Sequence, residues 1–164
     1  MGDARIAYLT GEYPRATDTF IQREVGALRT LGFHVQTCSI RRTSAAHHVG
    51  PEQRVETTNT FHVLEATASV LGFARAHAIA LFKAPRRYFR ALALAWRVSP
   101  PGIRARLFHL IYFCEAVVLA DFLRRENIQH LHNHIAKSSC TVAMLASEIG
   151  AVPFSFTLHG PDIF

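Results

Sequence analysis

Residues 5–40, RIAYLTGEYPRATDTFIQREVGALRTLGFHVQTCSI, decide the fold of this chain. A short apolar run at 5–10 and a second at 33–40 each predict a strand. The segment between them predicts a helix that Thr17 or Asp18 can cap. The apolar residues of this helix follow a helical spacing: Ile21, Val25, Leu28 and Leu31. A strand–helix–strand unit of this length predicts a parallel sheet with a right-handed crossover.

The rest of the chain continues the alternation of strands and helices. We expect a loop at 41–59, a short strand at 60–64, two helices broken at Pro85 within 65–96, a helix at 103–126, a strand at 128–134, a helix at 138–149 and a strand at 153–158. This order predicts an α/β fold with a doubly wound, mainly parallel sheet in three α/β/α layers. We expect one domain over 1–164, in which 66–106 form a basic helical insertion.

Composition narrows the class of protein. Apolar residues make up 49% and charged residues 18% of the chain, so a sizeable core is available and overall disorder is excluded. The three cysteines are too few and too scattered for a disulfide scaffold. The sequence shows neither a signal peptide nor an uncharged apolar stretch of spanning length. We therefore expect a cytoplasmic location, with peripheral attachment to the inner face of the plasma membrane as a further option.

The fold itself predicts where a ligand binds. In doubly wound sheets ligands lie beyond the carboxyl ends of the strands. The segments 11–19, 134–139 and 159–162 each follow a predicted strand. We expect these three segments to lie along one edge of the sheet.

Three segments carry a resemblance to a known family. Residues 13–25 resemble the pattern Tyr-Pro-x-x-Ser-Glu-Thr-Phe-Ile-x-x-Glu-Ile, residues 130–136 are similar to His-x-His-Ala-His-Phe-Ala, and residues 153–164 resemble Pro-x-Ser-Phe-Thr-Ala-His-Gly-x-Asp-Ile-Phe. These patterns are typical of the amino-terminal domain of family 4 glycosyltransferases of the GT-B fold. The enzymes of exopolysaccharide and colanic-acid biosynthesis are the most similar in pattern.

The resemblance implies a function. It implies a Rossmann-like half of a GT-B fold in a retaining, hexosyltransferase-type enzyme of polysaccharide biosynthesis. The sugar would move from a nucleotide-sugar donor to a saccharide or lipid-linked acceptor, and this half would hold the acceptor. The donor half of such enzymes carries a Glu-x7-Glu motif, and no two of the eight Glu residues here are eight positions apart. We therefore expect the carboxyl-terminal donor-binding domain to be absent and the isolated chain to be inactive.

The resemblance also implies site residues. His134 and His159 match the two cleft histidines of the family, and an imidazole at a strand end can hydrogen-bond or polarise a sugar hydroxyl. A structural histidine is the alternative at both positions. The hydroxyls of the 11–19 loop suit a phosphate at a helix start, although an ordinary helix cap would use the same residues. Predicted substrate contacts are Tyr13, Thr17, Thr19, Asn133, Gly160 and Asp162.

The motif around His134 also raises the question of a metal ion. His130, His132 and His134 alternate along a predicted strand, so they share one face. A His-x-His pair on a strand can hold zinc. Family precedent and the central position of the strand favour core histidines instead. We therefore expect no metal ion and no cofactor, since the nucleotide-sugar is a substrate.

A basic, aromatic region forms the middle of the chain. Residues 66–114 contain eight Lys or Arg residues and no Asp or Glu. An amphipathic surface around Lys83, Arg86, Arg87 and Arg90 could lie on anionic lipid, near a lipid-pyrophosphate acceptor, or these residues could form a solvated basic face. No nucleic-acid-binding module accompanies the charge, so we expect no nucleic acid as a partner. The alternative function is a non-catalytic basic module that binds an anionic membrane surface or partner.

Overall fold

A parallel sheet of five strands forms the centre of the computed structural model, which describes residues 4–135 and 137–158. Its strands are β1 (Arg5–Tyr13), β2 (His34–Arg42), β3 (Phe61–His62), β4 (His130–His134) and β5 (Phe154–Thr157). They stand in the order β3-β2-β1-β4-β5, and each neighbouring pair is parallel. The order reverses between β1 and β4, which is the topological switch point of the sheet. The predicted α/β fold with a doubly wound parallel sheet is confirmed.

Helices cover both faces of this sheet. One face carries α1 (Thr19–Thr30) and α2 (Pro51–Asn59), and the other carries α3 (Val63–Ala68), α6 (Ile103–Arg125) and α7 (Ser138–Gly150). The helices α4 (Val70–Lys83) and α5 (Pro85–Arg97) pack on the outer side of α6 and α7. Within the described ranges, no helix combines the length and the apolar character that crossing a bilayer requires.

Successive side chains of β1 point to opposite faces of the sheet, and each face has its own hydrophobic core. Ala7 and Leu9 are fully buried in the larger core, under α6 and α7. Tyr8 points to the opposite face and packs in a smaller core with Ile21 and Val25 of α1. The predicted apolar stripe of α1 is therefore buried at those two positions. Leu31 is 71% exposed, because the helix already ends at Thr30.

The predicted loop at 41–59 is wrong for its second half, which forms α2. This helix buries only Thr57, so it has no apolar stripe for the sequence to reveal. Polar contacts attach it instead. The carboxylate of Glu56 accepts hydrogen bonds from the Arg29 guanidinium at 2.8 Å and from the Thr37 hydroxyl at 2.7 Å.

The region 65–96 holds three helices where two were predicted. The additional break lies at Ser69, between α3 and α4. The Ser69 hydroxyl accepts a hydrogen bond from the backbone N–H of Gly72 at 3.2 Å, which caps α4. Pro85 is the first residue of α5, so the predicted break at that position is confirmed.

Asp121 attaches the outer helix α4 to the body of the domain. It lies on the buried half of α6 and is 7% exposed. Its carboxylate accepts hydrogen bonds from Arg75 of α4 at 2.6 Å, from Arg124 at 2.7 Å and from Arg125 at 3.2 Å. Charge-assisted hydrogen bonds are the stronger class, and three of them compensate for the burial of this single carboxylate.

Two exposed glycines make a matched test of the helix end. Gly32 follows α1 with φ +89°, whereas Gly26 lies inside α1, and an added Cβ would meet nothing within 4 Å at either position. Gly32→Ala should lower the free energy of unfolding by about 1–2 kcal/mol, because an L-residue is strained at positive φ. Gly26→Ala should raise it by about 0.5–1 kcal/mol, because alanine is the better helix former. Urea denaturation measures both, and shifts of the same sign would contradict the assigned helix end.

Candidate functional site

An open cavity of about 450 Å³ lies at the carboxyl edge of the sheet, beside the switch point. Three neighbouring strands contribute to its lining from their carboxyl-terminal halves. Thr10 belongs to β1, Ile40 belongs to β2, and Ile135 directly follows β4. An apolar wall comes from α6 and includes Ile111 and Tyr112. The volume lies within the range of small-molecule sites, and the position is the one expected for a ligand in this fold.

Glu115 is a buried acid in the lining of this cavity. Its side chain lies on α6 and is 5% exposed, and its Oε2 atom has no hydrogen-bond partner among the described residues. Burial raises the pKa of this carboxyl to about 7, against the opposing charge of Arg41. Near neutral pH the group can therefore donate a proton or accept one, as an acid–base residue or a ligand contact must.

The amino terminus of α7 opens into the same cavity. Ser138 and Ser139 are its first two residues, and both line the cavity. Ser139 is 1% exposed, and its hydroxyl finds no hydrogen-bond partner in the part of the chain that the structure describes. The first turn contains no acidic residue, and the residue at the N-cap position makes no side-chain capping hydrogen bond. Backbone N–H groups at a helix start carry partial positive charge, so this end favours an anionic or hydroxyl-bearing group.

A strained turn leads from β4 into α7. Ile135 has φ 73°, which is an uncommon conformation for a β-branched residue. Asn133 is fully buried, and its amide donates to the Ile135 carbonyl at 2.9 Å. The backbone N–H of Lys137 donates to the same carbonyl at 2.9 Å. The predicted substrate residue Asn133 thus holds the turn that lines the cavity, and direct contact with a substrate stays a prediction.

His134 lies on the α1 side of the sheet and is 1% exposed. Its Nε2 atom is 3.5 Å from Oε2 of Glu24, and the Tyr8 hydroxyl donates to Oε1 of that glutamate at 2.6 Å. The Phe20 ring of α1 lies 6.1 Å from the imidazole, centroid to centroid. Among the described residues, the cavity lining does not include His134. Its predicted catalytic role stays a prediction.

The same face contains a group of donors that could hold a metal ion. Glu24, His132 and His134 each offer one ligand atom, and these atoms lie within 4.8 Å of one another. Both ring nitrogens of His132 already have partners, the Ser155 hydroxyl at 2.8 Å and the Thr157 hydroxyl at 3.1 Å. Burial lowers the pKa of His132, so the neutral ring is favoured. The described contacts thus form a hydrogen-bonded network, which a metal ion would have to replace in part.

The predicted substrate contacts at the end of β1 and the start of α1 lie in different environments. Tyr13 is 2% exposed and packs in the smaller core, away from the cavity. Thr17 and Thr19 are exposed at the start of α1. The Thr17 hydroxyl donates to the carboxylate of Asp18 at 3.1 Å, and Asp18 is buried at this helix start without capping it. The expected phosphate contact at this helix therefore meets a buried carboxylate, which opposes an anion.

The remaining predicted residues divide between two regions. His159, Gly160 and Asp162 lie outside the described residues. The basic residues of the predicted membrane surface are exposed around the junction of α4 and α5: Lys83, Arg86, Arg87 and Arg90. Of these, Arg90 pairs with Glu148 of α7 at 3.2 Å.

Glu115 escaped the sequence analysis, and Ser139 entered it only as the last residue of the segment 134–139, without a role of its own. Glu115 is the first acidic residue after Glu65, and it stands inside an apolar helix. A lone acid in such a position is a signal of a special role, because an unpaired buried carboxylate is unfavourable. Ser139 gives no comparable signal, because serine is common at the start of a helix.

Searches of protein-family models, of curated proteins and of solved structures found no match to this chain. The glycosyltransferase resemblance therefore remains a prediction from the three motifs. The geometry of the cavity supplies independent observations on which a function can be argued.

Glu115 makes the stability of the protein depend on pH. The pKa of the Glu115 carboxyl is raised from its ordinary 4.5 to about 7 in the folded state. The contribution of Glu115 to the free energy of unfolding is therefore fully present below pH 4.5. It is lost as the pH rises to 7, because the unfolded chain releases this proton more readily than the folded protein. The loss should be about 3 kcal/mol relative to Glu115→Gln, in which a neutral amide replaces the acid. Urea denaturation of both proteins between pH 4.5 and 8 measures this difference. Parallel curves for the two proteins would show that Glu115 does not titrate in this range.

Proposed function

We propose that this chain is the acceptor-side domain of a retaining glycosyltransferase, which holds a saccharide or lipid-linked acceptor during sugar transfer from a nucleotide-sugar. One observation carries the proposal. The cavity at the carboxyl edge of the sheet combines the buried carboxyl of Glu115 with the unpartnered hydroxyl of Ser139. Unsatisfied buried polar atoms are rare in folded proteins, so their presence in a cavity supports a polar ligand.

The chemistry of the lining supports a saccharide. A sugar presents hydroxyl groups that both donate and accept hydrogen bonds, and Glu115 and Ser139 offer complementary groups. The wall formed by Phe108, Ile111 and Tyr112 offers an apolar surface for the C–H face of a sugar ring. A cavity that mixes a few polar groups with apolar walls is typical of small-molecule sites.

The sheet topology supports the same proposal. β4 pairs with β1 on one side and with β5 on the other. The three segments that resemble the family therefore lie on neighbouring strands: 13–25 starts at the end of β1, 130–136 covers β4, and 153–164 covers β5. In the proposed enzyme, a separate donor-binding domain would supply the nucleotide-sugar. Activity at an anomeric carbon needs both halves, so the proposal assigns acceptor binding to this chain.

Binding of saccharides tests this proposal. We expect neutral mono- and disaccharides, titrated into the ¹⁵N-labelled chain, to shift the amide signals of Gly11, Ile135 and Ser139 at the cavity. At pH 8.5, where the Glu115 carboxyl is ionised, Glu115→Gln should weaken the binding of these neutral saccharides about tenfold or more, because a hydrogen bond to a charged group contributes about 1.5–3 kcal/mol. Glu52→Gln, on the exposed first turn of α2, is the matched control. Saccharide shifts confined to another surface, or equal affinity of the Glu115 variant, would contradict the proposal.

A second candidate function rests on the outer helices. Phe82 and Phe89 are 84% and 57% exposed beside the basic residues at the α4–α5 junction. The first half of α6 adds Ile103 and Leu107, which are 70% and 54% exposed. Exposed apolar side chains interleaved with cations favour the interface of an anionic membrane. We infer that this surface attaches the domain to anionic lipid.

Vesicle binding tests the second candidate. The chain should sediment with vesicles that contain phosphatidylglycerol at low salt and detach as salt rises. Arg86→Gln/Arg87→Gln should weaken binding about 30-fold, because each cation near the surface contributes about 1 kcal/mol. Arg23→Gln/Arg54→Gln has the same net charge and changes only exposed residues of α1 and α2. Equal loss in both double variants would contradict a specific lipid-facing surface.

A further inference from the structure

The two helices that start at the switch point differ in their electrostatics. α1 begins beside the buried carboxylate of Asp18, which disfavours a second negative charge at that end. α7 begins with Ser138 and Ser139, and its first turn has no acidic residue. The first N–H groups of a helix lack acceptors within the helix. Of these two helix starts, the one at α7 is the better place for an anion.

Two side chains, Ser139 and Glu115, independently indicate that a polar ligand binds at the start of α7. The Ser139 hydroxyl and the Oε2 atom of Glu115 line the same cavity, on residues that are 1% and 5% exposed. Neither atom has a hydrogen-bond partner among the residues that the structure describes. Leaving a buried polar group unsatisfied destabilises a protein by about 1–3 kcal/mol. A ligand with several acceptor oxygens would satisfy both groups.

The charged residues around the cavity must be compatible with such a ligand. The other charged residues that line the cavity are Glu12 of β1, Arg15 and Asp18 before α1, Arg41 of β2 and Lys137 before α7, and the Tyr112 hydroxyl of α6 lies in the same lining. Arg15 lies 3.9 Å from the Asp18 carboxylate, so these two charges offset each other. Arg41 of β2 and Lys137 before α7 add two positive charges and Glu12 adds one negative charge, so the lining other than Glu115 carries one net positive charge.

We propose that the start of α7 is a phosphate subsite, in which Ser138, Ser139 and the protonated carboxyl of Glu115 bind the phosphate group of a phosphorylated saccharide. The backbone N–H groups of Ser138 and Ser139 and the Ser139 hydroxyl donate to phosphate oxygens. The protonated Oε2 of Glu115 donates a further hydrogen bond. This inference rests on the proposed function for the saccharide part of the ligand, whereas the anion subsite stands on the cavity alone.

Protonation of Glu115 gives the subsite a pH signature. Only the protonated carboxyl can donate, and an ionised carboxylate would repel the anion. Sulfate keeps its charge between pH 5.5 and 8.5, so its pH dependence reports the protein and not the ligand. Sulfate affinity should fall up to tenfold per pH unit above about 7, where Glu115 ionises. Glu115→Gln carries a permanent donor, so its sulfate affinity should not show this fall.

The experiment is calorimetric titration of the folded chain with sulfate and with glucose 1-phosphate. Ser139→Ala should weaken sulfate binding about tenfold, because one hydrogen bond to a charged group is lost. The same variant should unfold at an equal or higher urea concentration, since the hydroxyl has no partner in the free protein. Thr58→Ala, on the exposed face of α2, is the matched control and should bind sulfate like the original chain.

The ligands separate the outcomes. Tighter binding of glucose 1-phosphate than of sulfate supports both the subsite and the saccharide function. Sulfate binding with the expected pH signature, but no gain from glucose, supports the subsite and overturns its saccharide assignment. Tighter binding of dihexanoyl phosphatidic acid than of glucose 1-phosphate identifies a lipid headgroup and also overturns the saccharide assignment. No sulfate binding at pH 6, or equal affinity of Ser139→Ala, overturns the subsite.

Discussion

Strand β1 has parallel neighbours on both sides, β2 and β4, and this pairing fixes the paths of the connecting helices. A parallel neighbour requires the chain to leave the carboxyl end of one strand, cross a face and return to the other end. The connection from β1 to β2 crosses one face through α1, and the chain reaches β4 across the opposite face through α6. The two paths diverge at the carboxyl edge of the sheet. The cavity is the gap that this divergence leaves.

The elements that could be predicted from the sequence are the helices and strands that bury an apolar stripe or an apolar run. The unit of β1, α1 and β2 was predictable because its alternating and helical spacings match burial on two faces. α2 was not predictable in this way, because it is attached by the contacts of Glu56 to Arg29 and Thr37. These partners lie far apart in the chain, and a local pattern does not reveal them.

The candidate site was predictable in position and less so in composition. Residues 10–12 in the last part of β1, together with Ile135 and 137–139 after β4, reach one cavity, as the fold implied. Glu115 was not predictable from spacing, because the nine residues 115–123 of α6 are all buried. A helix that is buried on every side has no periodicity that separates a cavity-facing residue from a core residue. Residues of β1, β2 and α7 surround the cavity, and their positions determine which side of α6 faces it.

Among the residues that the structure describes, both edges of the sheet are short, and this has a consequence for self-association. β3 contributes two residues and β5 contributes four. Unpaired amides and carbonyls on an edge strand can recruit another chain into intermolecular β-structure. A two-residue edge offers too few of these groups to template such growth. Aggregation by strand addition would therefore proceed beside β5, where the Phe154 and Phe156 rings stack with centroids 5.7 Å apart and Phe156 is 48% exposed.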